Sequence, residues 1–362
     1  MAKPNPPDER PLDVVVVGAT GNIGTGLIRA LGADPRIGSI LGLARRIPDW
    51  TPPKTRWLSY DVGAGRPDEL AEHFRGAAAV VHLAWLFQPT HDPVTTWRTN
   101  VLGSLRVFEA AATARVPALV YSSSVGAYSP GPKDRAVSEE WPTHGWPEAA
   151  YPREKAYVER ALDSFERDHP DLRVVRMRPG FVFQRSAAPE QRRLFGGPFV
   201  PGRLVRPGVV PVVPNLPGLR FQVLHTDDAA AAFAQAVLRP VRGAFNIAAD
   251  PVVDAHLLGK VLGARVVRVP AAVATAAVSA LWRLHLVPAT PGLLRTVLRV
   301  PVMDTGRAAA ELGWVPRYSS VQALGELLRG LRDPVGAPTP PLAGSVAGGR
   351  FGELATGVGE RP

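Results

Sequence analysis

Short β-branched runs alternate with helical patterns through the first half of the chain. Val14–Val17 is apolar at every position, which predicts a strand buried on both faces, and Leu27–Leu31 opens an amphipathic helix behind it. Ser39–Leu43, Ala78–Leu83, Ala118–Tyr121 and Leu172–Met177 repeat the strand pattern. A helix through Val101, Leu105, Val107, Phe108 and Ala111, and another from about Pro152 to Phe165, fill two of the intervals. Continuous apolar strands in alternation with helices predict an α/β fold, a doubly wound parallel sheet covered on both faces.

After Arg178-Pro179 the texture changes. Residues 183–220 are rich in Pro, Gly and Arg, with little periodicity. A strand-to-helix unit returns at Val223–Val237, where Thr226 or Asp227 is expected to cap the helix, and Phe245–Ala248 is a further strand candidate. Residues 254–262 and 271–300 are expected to be helical, broken at Pro288 and Pro291. The expected organisation is therefore a flexible N-terminus (1–11), a sheet domain (12–182, with 221–250 returning to it) and a small C-terminal lobe (183–220 and 251–332). The tail 333–362 is Gly/Pro/Ala-rich and expected to be disordered. No internal repeat is present.

Composition narrows the function classes. The chain has 362 residues, 46% hydrophobic and 20% charged, enough apolar material for a sizeable core and too much for a disordered chain. It has no cysteine, which excludes disulfide scaffolds, thiol nucleophiles and cysteine-ligated metal; no metal ligand set is assigned. The net charge of +10 is carried almost wholly by arginine, since lysine occurs only at Lys3, Lys54, Lys133, Lys155 and Lys260. Those arginines are scattered, without runs or interleaved aromatics, so no nucleic-acid partner is expected, while a phosphate-bearing small molecule remains compatible. MAKPNPPDER lacks the apolar core of a signal peptide, and Arg268 and Arg283 bracket the apolar stretch 271–282 too closely for a bilayer span. A cytoplasmic protein with no membrane span is expected.

The strongest local signal is VVVVGATGNIGTGLIRAL, with Gly18, Gly21 and Gly24 between a buried strand and a helix. Glycine permits the tight turn, the approach of backbone to a pyrophosphate and the close packing of helix on strand, and the helix N-terminus then faces the anion. An acidic residue at the end of the second strand would suit the ribose hydroxyls of NAD. Here Arg45 and Arg46 stand there with no acid until Asp49, which favours the 2′-phosphate of NADP over NAD. Asp61, followed by Val62, offers a carboxylate to an adenine amino group, although an exposed loop acid has the same appearance.

Ser122-Ser123-Ser124 ends the strand Ala118–Tyr121, at the edge where open α/β sheets hold ligands. Beyond it comes Tyr151-Pro-Arg-Glu-Lys155, whose spacing of four puts Tyr151 and Lys155 on one helix face. An ammonium beside a phenol stabilises the phenolate and lowers its pKa from about 10, so that the tyrosine can exchange a proton with a substrate oxygen. A serine hydroxyl from the neighbouring strand would hold that same oxygen.

From about residue 12 to 330 the chain resembles the extended short-chain dehydrogenases/reductases, the NAD(P)-dependent epimerase/dehydratase group. The resemblance rests on GATGNIG (18–24), Asp61-Val62, HLAW (82–85), RTNVLG (98–103), YSSSVGAY (121–128), YPREK (151–155), RPGFVF (178–183) and LHTDDAA (224–230). It implies a Rossmann sheet with the C-terminal lobe binding substrate, and a cofactor cradled by Gly18, Thr20, Gly21, Asn22, Ile23 and Gly24. It further implies Tyr151 as general acid/base, Lys155 on the nicotinamide ribose, and Ser124, in preference to Ser123, orienting the substrate oxygen. Leu83 and Ala84 would line the adenosine side, and Pro179 to Val182 would pass near the nicotinamide. Asn100 matches an asparagine of the family, though it is equally a cap. Trp85 and Gln88 would face substrate, a core tryptophan being the plain alternative.

Two departures bear on the substrate. Nucleotide-sugar dehydratases of this family carry acidic residues directly after the catalytic hydroxyl, where Val125 and Gly126 stand here. Nucleotide-sugar epimerases carry a diphosphate-binding arginine where Phe221 stands, with Arg220 one residue early and so on the other face of an extended segment. His225, Asp227 and Asp228 are expected to be structural, and Arg185, Arg192, Arg193, Arg203 and Arg206 either bind an anionic substrate or are solvated. The expected activity is an NAD(P)-dependent oxidoreduction of a secondary alcohol or ketone in a small molecule. The rivals are an NAD-retaining sugar epimerase and a non-catalytic dinucleotide sensor or assembly subunit. A homodimer is an expectation of the resemblance.

Overall fold

In chain order the computed structural model, which describes residues 10–200, 202, 208–345 and 349–360, begins with strand β1 (Leu12–Val17), helix α1 (Asn22–Ala33) and strands β2 (Ile37–Ala44) and β3 (Thr55–Ser59). Next come α2 (Pro67–Phe74), β4 (Ala79–His82), α3 (Pro93–Trp97), α4 (Gly103–Thr113) and β5 (Ala118–Ser122). A short β6 (Ala136–Val137), the long α5 (Ala150–Asp168) and β7 (Arg173–Pro179) follow. The flexible N-terminus expected over 1–11 falls mostly outside the described residues, as do Arg203 and Arg206.

The remaining elements build the lobe and return twice to the main sheet. They are β8 (Phe181–Phe183), α6 (Ala188–Gln191), β9 (Val212–Asn215), β10 (Arg220–His225), α7 (Thr226–Leu238) and β11 (Gly243–Ile247). After them lie β12 (Ala249–Asp254), α8 (Ala255–Leu262), β13 (Arg265–Arg268), α9 (Ala271–Arg283) and α10 (Pro291–Val297). The last are β14 (Val302–Met303), α11 (Gly306–Leu312), α12 (Ser320–Arg332) and α13 (Gly349–Ala355).

Seven parallel strands form the central sheet in the order β11-β7-β5-β4-β1-β2-β3. The alternation of side chains on β1 explains why both faces are covered. Val14 and Val16 enter a core with Leu27, Ile28 and Leu31 of α1 and Phe233 of α7, whereas Val15 and Val17 enter another with Val107 and Phe108 of α4 and Val158 and Leu162 of α5. Leu27, Ile28 and Leu31 are fully buried and each stabilises the fold by about 1.5–3 kcal/mol. α1 and α7 touch closely because Gly26 stands between them: a Cβ there would lie 3.1 Å from the Ala230 Cβ. The chain runs from β1 outward to β2 and β3 on one side, and returns to β4 and β5 on the other. That places the topological switch point between β1 and β4.

Residues 221–250 do not return to the sheet as one unit. α7 and β11 pack on it, but β10 pairs with β8 and β12 in a separate three-stranded sheet of the lobe. The cap of α7 also differs from the expected Thr226 or Asp227. His225 is the N-cap, its Nδ1 accepting from the Asp227 N–H at 3.2 Å, while the Thr226 hydroxyl donates to Asn22 Oδ1 at 2.7 Å.

The described part of the tail is packed, not loose. Arg193 donates to the Pro341 and Ala343 carbonyls at 2.7 and 2.9 Å, the Thr90 N–H donates to Gly359 at 2.7 Å, and Leu342 and Val358 are buried. Composition predicts disorder because a Gly/Pro/Ala-rich segment has little apolar side chain to bury, and here contacts with a distant arginine and with the loop at Thr90 hold it.

Candidate active site

The glycine loop leaves β1 and turns under the ends of β2 and β4. The Gly18 and Ala19 N–H groups donate to the Leu43 carbonyl at 2.9 and 3.3 Å, which ties the loop to β2. Gly18 has φ +84°, and a Cβ on it would lie 2.5 Å from the Ala84 nitrogen, so only glycine fits where the chain leaves β4. Gly21 is different. A Cβ there would meet nothing nearer than the Gly18 carbonyl at 3.6 Å, so protein packing does not demand glycine, and the bare backbone leaves room for a pyrophosphate. No side chain caps α1, which leaves its first-turn N–H groups for an anion. The residues present therefore fit a dinucleotide, with Leu83 and Ala84 on the β4 side of the crevice.

The Asn22 side chain does not face the crevice. Its Nδ2 donates to the Val182 carbonyl at 2.9 Å, and its Oδ1 accepts from Gln184 Nε2 at 2.9 Å and from Thr226. It latches the loop to β8 and α7, which leaves only its N–H for an anion; Gln184, its partner, gave no local signal. Thr20 is buried and Ile23 packs against the core. Arg45 and Arg46 sit exposed just past β2, and no hydrogen bond or ion pair among the described residues holds either guanidinium. Exposed Asp61 accepts the Gly63 N–H at 2.8 Å, and Val62 is buried.

On the other side of the crevice Ser124 and Tyr151 are neighbours: a Cβ on Gly126, between them, would lie 2.7 Å from Tyr151 Cε1 and 3.4 Å from Ser124 Oγ. Ser124 also accepts the Gly126 N–H at 2.9 Å and so caps a short turn, 125–127, against which α5 packs. Ser123 is committed elsewhere: it is buried and donates to Glu159 at 2.5 Å. Glu159 in turn takes a bidentate grip from Arg178 at 2.9 and 3.0 Å and a contact from Arg176 at 3.0 Å. Burial works to raise the Glu159 carboxyl, but the two guanidinium groups and Ser123 outweigh it and hold the pKa at about 2.

Lys155 is where spacing alone misleads. It shares α5 with Tyr151, yet its ammonium lies 3.4 Å from the Trp85 ring centre and donates to the Ser122 carbonyl at 2.6 Å. Trp85 also meets Tyr151 edge-on, at 5.9 Å and 80°, so one indole touches both residues. The expected lowering of the Tyr151 pKa is therefore absent in the protein alone. Burial pushes it up to about 12, against the lowering influence of Ser124, and burial likewise holds Lys155 well below the ordinary lysine value.

Asn100 and Gln88 act at one remove. Asn100, fully buried, accepts from the Leu86 N–H at 2.7 Å and donates to the Leu86 carbonyl at 2.8 Å and to Glu154 at 2.7 Å. It thus pins the loop after β4 to α5, and its side chain is not free for a cofactor. Gln88 is buried and donates to the Arg193 carbonyl at 3.1 Å, which joins this loop to the lobe and commits its amide nitrogen there. Between these anchors Phe87 stacks on Tyr151 at 5.0 Å and 17°, with Phe195 edge-on at 5.6 Å. Phe87, Phe195, Glu154 and Glu159 escape sequence reading, since their partners are remote in the chain. Pro179 ends β7, and the Val182 carbonyl accepts from Asn22 and Gln191.

A sequence profile of the NAD dependent epimerase/dehydratase family matches residues 14–248, well over half of the chain. The chain belongs to that family. Among its relatives is the uncharacterised protein Rv0501 of Mycobacterium tuberculosis, 27% identical over 237 residues, which are 64% of this chain and 59% of that protein. The chain thus matches less than two thirds of the length of its mycobacterial relatives. A UDP-glucose 4-epimerase of Yersinia pestis is 30% identical over 183 residues, 46% of this chain and 52% of the other. The UDP-glucose 4-epimerase of Thermus thermophilus, solved with NAD, superposes with a TM-score of 0.66 at 20% identity, over 90% of this chain and 100% of its own. A dTDP-glucose 4,6-dehydratase of Streptomyces venezuelae gives 0.65 at 20% identity, over 89% and 97%. These two share the fold.

Within this epimerase/dehydratase family member the two departures have structural counterparts. Phe221 packs edge-on against Phe181 at 5.2 Å in an apolar cluster with Phe183, Leu257 and Leu258. A Cβ on Gly126 would lie 2.7 Å from Tyr151 Cε1, so a carboxylate side chain there would displace the tyrosine. No helix among the described residues is long and apolar enough to cross a membrane.

Proposed function

We propose that this protein is an NAD(P)-dependent oxidoreductase acting on a secondary alcohol or ketone carbon of a small molecule. The observation that carries the reading is the adjacency of Ser124 and Tyr151, beside the switch-point crevice into which the glycine loop opens. When bound, the nicotinamide accepts or returns a hydride. Tyr151 supplies or takes the proton at the substrate oxygen, and Ser124 holds that oxygen within reach of it. Lys155 would hold the nicotinamide ribose, and a positive charge brought beside Tyr151 with the bound cofactor would oppose the burial that raises it. Glu159, through Ser123 and Arg178, fixes the end of β5 on which Ser124 sits. The unpaired Arg45 and Arg46 favour NADP over NAD, and such a cofactor is consistent with a cytoplasmic enzyme.

The apolar surroundings of Tyr151, with Trp85 and Phe87 against it, and Phe221 in place of a diphosphate-binding arginine favour a substrate without a nucleoside diphosphate. A second reading, an NAD-retaining sugar epimerase, is supported by the likeness to the Yersinia pestis enzyme. It predicts tightly held cofactor in the purified protein and no net turnover of NADPH. The decisive variant is Tyr151→Phe, assayed on a panel of ketones with NADPH. Turnover falls by about 10²- to 10⁴-fold while cofactor affinity stays nearly unchanged; unaltered turnover removes the tyrosine from the chemistry and the proposal with it. The homodimer is checked by light scattering.

A further inference from the structure

The loop 88–92, the end of α9 and the last described residues of the chain meet on the lobe. Thr90 ties them together: its N–H donates to the Gly359 carbonyl at 2.7 Å, and its hydroxyl accepts the Trp282 indole N–H at 3.2 Å. Around this knot stand His91, His285 and Glu360, with one ligand atom of each within 4.8 Å of the others. The His91 ring stacks on Trp282 at 4.2 Å and 7° and on His285 at 4.3 Å and 23°, and its Nε2 is buried without a hydrogen-bond partner. A buried ring nitrogen with no partner carries a desolvation cost that a bound ion would remove.

We propose that His91, His285 and Glu360 bind one divalent transition-metal ion, zinc by the chemistry of the donors, and so staple the end of the chain to the lobe. Two imidazoles and a carboxylate are donors that zinc takes, with water in the fourth position, whereas magnesium and calcium favour oxygen alone. Bonds of about 2.0–2.2 Å around a tetrahedral ion hold ligand atoms roughly 3.4 Å apart, so the three side chains draw inward on binding and His285 swings off its stack on His91, because the lone pair of a ring nitrogen lies in the ring plane. The two outer ligands have the freedom to do so. His285 is exposed at the turn that leaves α9, with φ +54°, and no hydrogen bond fixes its side chain or that of Glu360. Because Phe87 and Gln88 precede His91 in the same loop, the ion would stiffen the segment that covers Tyr151. The site stands apart from the oxidoreductase reading, and its test uses no activity.

The full chain, with any affinity tag removed, is stripped with a chelator and titrated with zinc chloride by calorimetry at neutral pH. Limited proteolysis with mass spectrometry then follows cleavage within 333–360. One ion binds per chain at micromolar affinity or tighter, and zinc, but not magnesium, slows cleavage of that segment. His91→Ala, His285→Asn and Glu360→Gln each weaken binding by about tenfold or more. Asparagine keeps the left-handed backbone of position 285 accessible, and Glu360 lies beyond every core element, so these two variants report on binding even if His91→Ala fails to fold. Zinc binding well below one ion per chain, or binding that His285→Asn and Glu360→Gln leave intact, overturns the site. Binding that leaves cleavage unchanged overturns the staple.

Discussion

The ammonium of Lys155 lies 3.4 Å from the centre of the Trp85 ring, over a side chain that also borders Tyr151. A buried ammonium needs partners, and here an aromatic face and the Ser122 carbonyl supply them. If Lys155 turns to a ribose hydroxyl when the cofactor docks, it must leave the indole. Trp85 emission is therefore expected to change on titration with NADP, and Trp85→Phe should lose most of that change while still binding the cofactor. A response of equal size in the variant would mean that the cation and the ring stay together.

The unpaired arginines at the end of β2 make a sharper test of cofactor choice. Charge-assisted hydrogen bonds of a guanidinium to a 2′-phosphate contribute about 1.5–3 kcal/mol. Arg45→Ala should thus weaken NADPH by about tenfold or more and NADH by less than about twofold. Cofactor fluorescence measures both affinities, and equal losses would refute the 2′-phosphate reading.

What was legible in the sequence was local. The all-apolar Val14–Val17 run, the glycines at 18, 21 and 24 and the serine-ended strand each carry their meaning within a few residues, and the structure assembles them at one crevice. The helical spacing of Tyr151 and Lys155 was also readable, but not their relation, because Trp85 comes from the loop after β4 to stand against both. Asn100 and Gln88 were legible as residues and not as roles, since Leu86, Glu154 and the Arg193 carbonyl lie in other elements. The tail and the His91, His285 and Glu360 cluster were invisible for the same reason: their partners are brought together only by the fold.

Glu159 is expected to matter more to stability than to chemistry. It is a fully buried carboxylate facing two guanidinium groups, and removing one partner of such a set typically costs about 3–5 kcal/mol. Its folded-state pKa of about 2 lies below the unfolded value, so its contribution is complete above about pH 4.5 and is lost as pH falls toward 2. Glu159→Gln should lower stability in urea unfolding at pH 7 by about that amount, and by less at pH 3. A loss independent of pH would place the energy in packing and not in charge.

Lys133 provides a pH dependence of the same sign in a higher window. Its ammonium reaches from the segment before β6 to the Arg220 carbonyl at 2.7 Å and the Val297 carbonyl at 2.9 Å, bridging the start of β10 and the end of α10. Burial, with Arg220 nearby, pushes its pKa down to about 7 from the ordinary 10.5. Between those values the unfolded chain holds a proton that the folded protein has released, so stability rises with pH across the window and is lost as pH falls through it. The wild type should gain up to about 1 kcal/mol per pH unit from this residue between about pH 7 and 10. Lys133→Met removes the titrating group, so its stability, followed by thermal melts at several pH values, should fall further behind the wild type as pH rises. A difference constant across that range would mean that the lysine stays charged in the folded protein, with both carbonyls as ordinary acceptors.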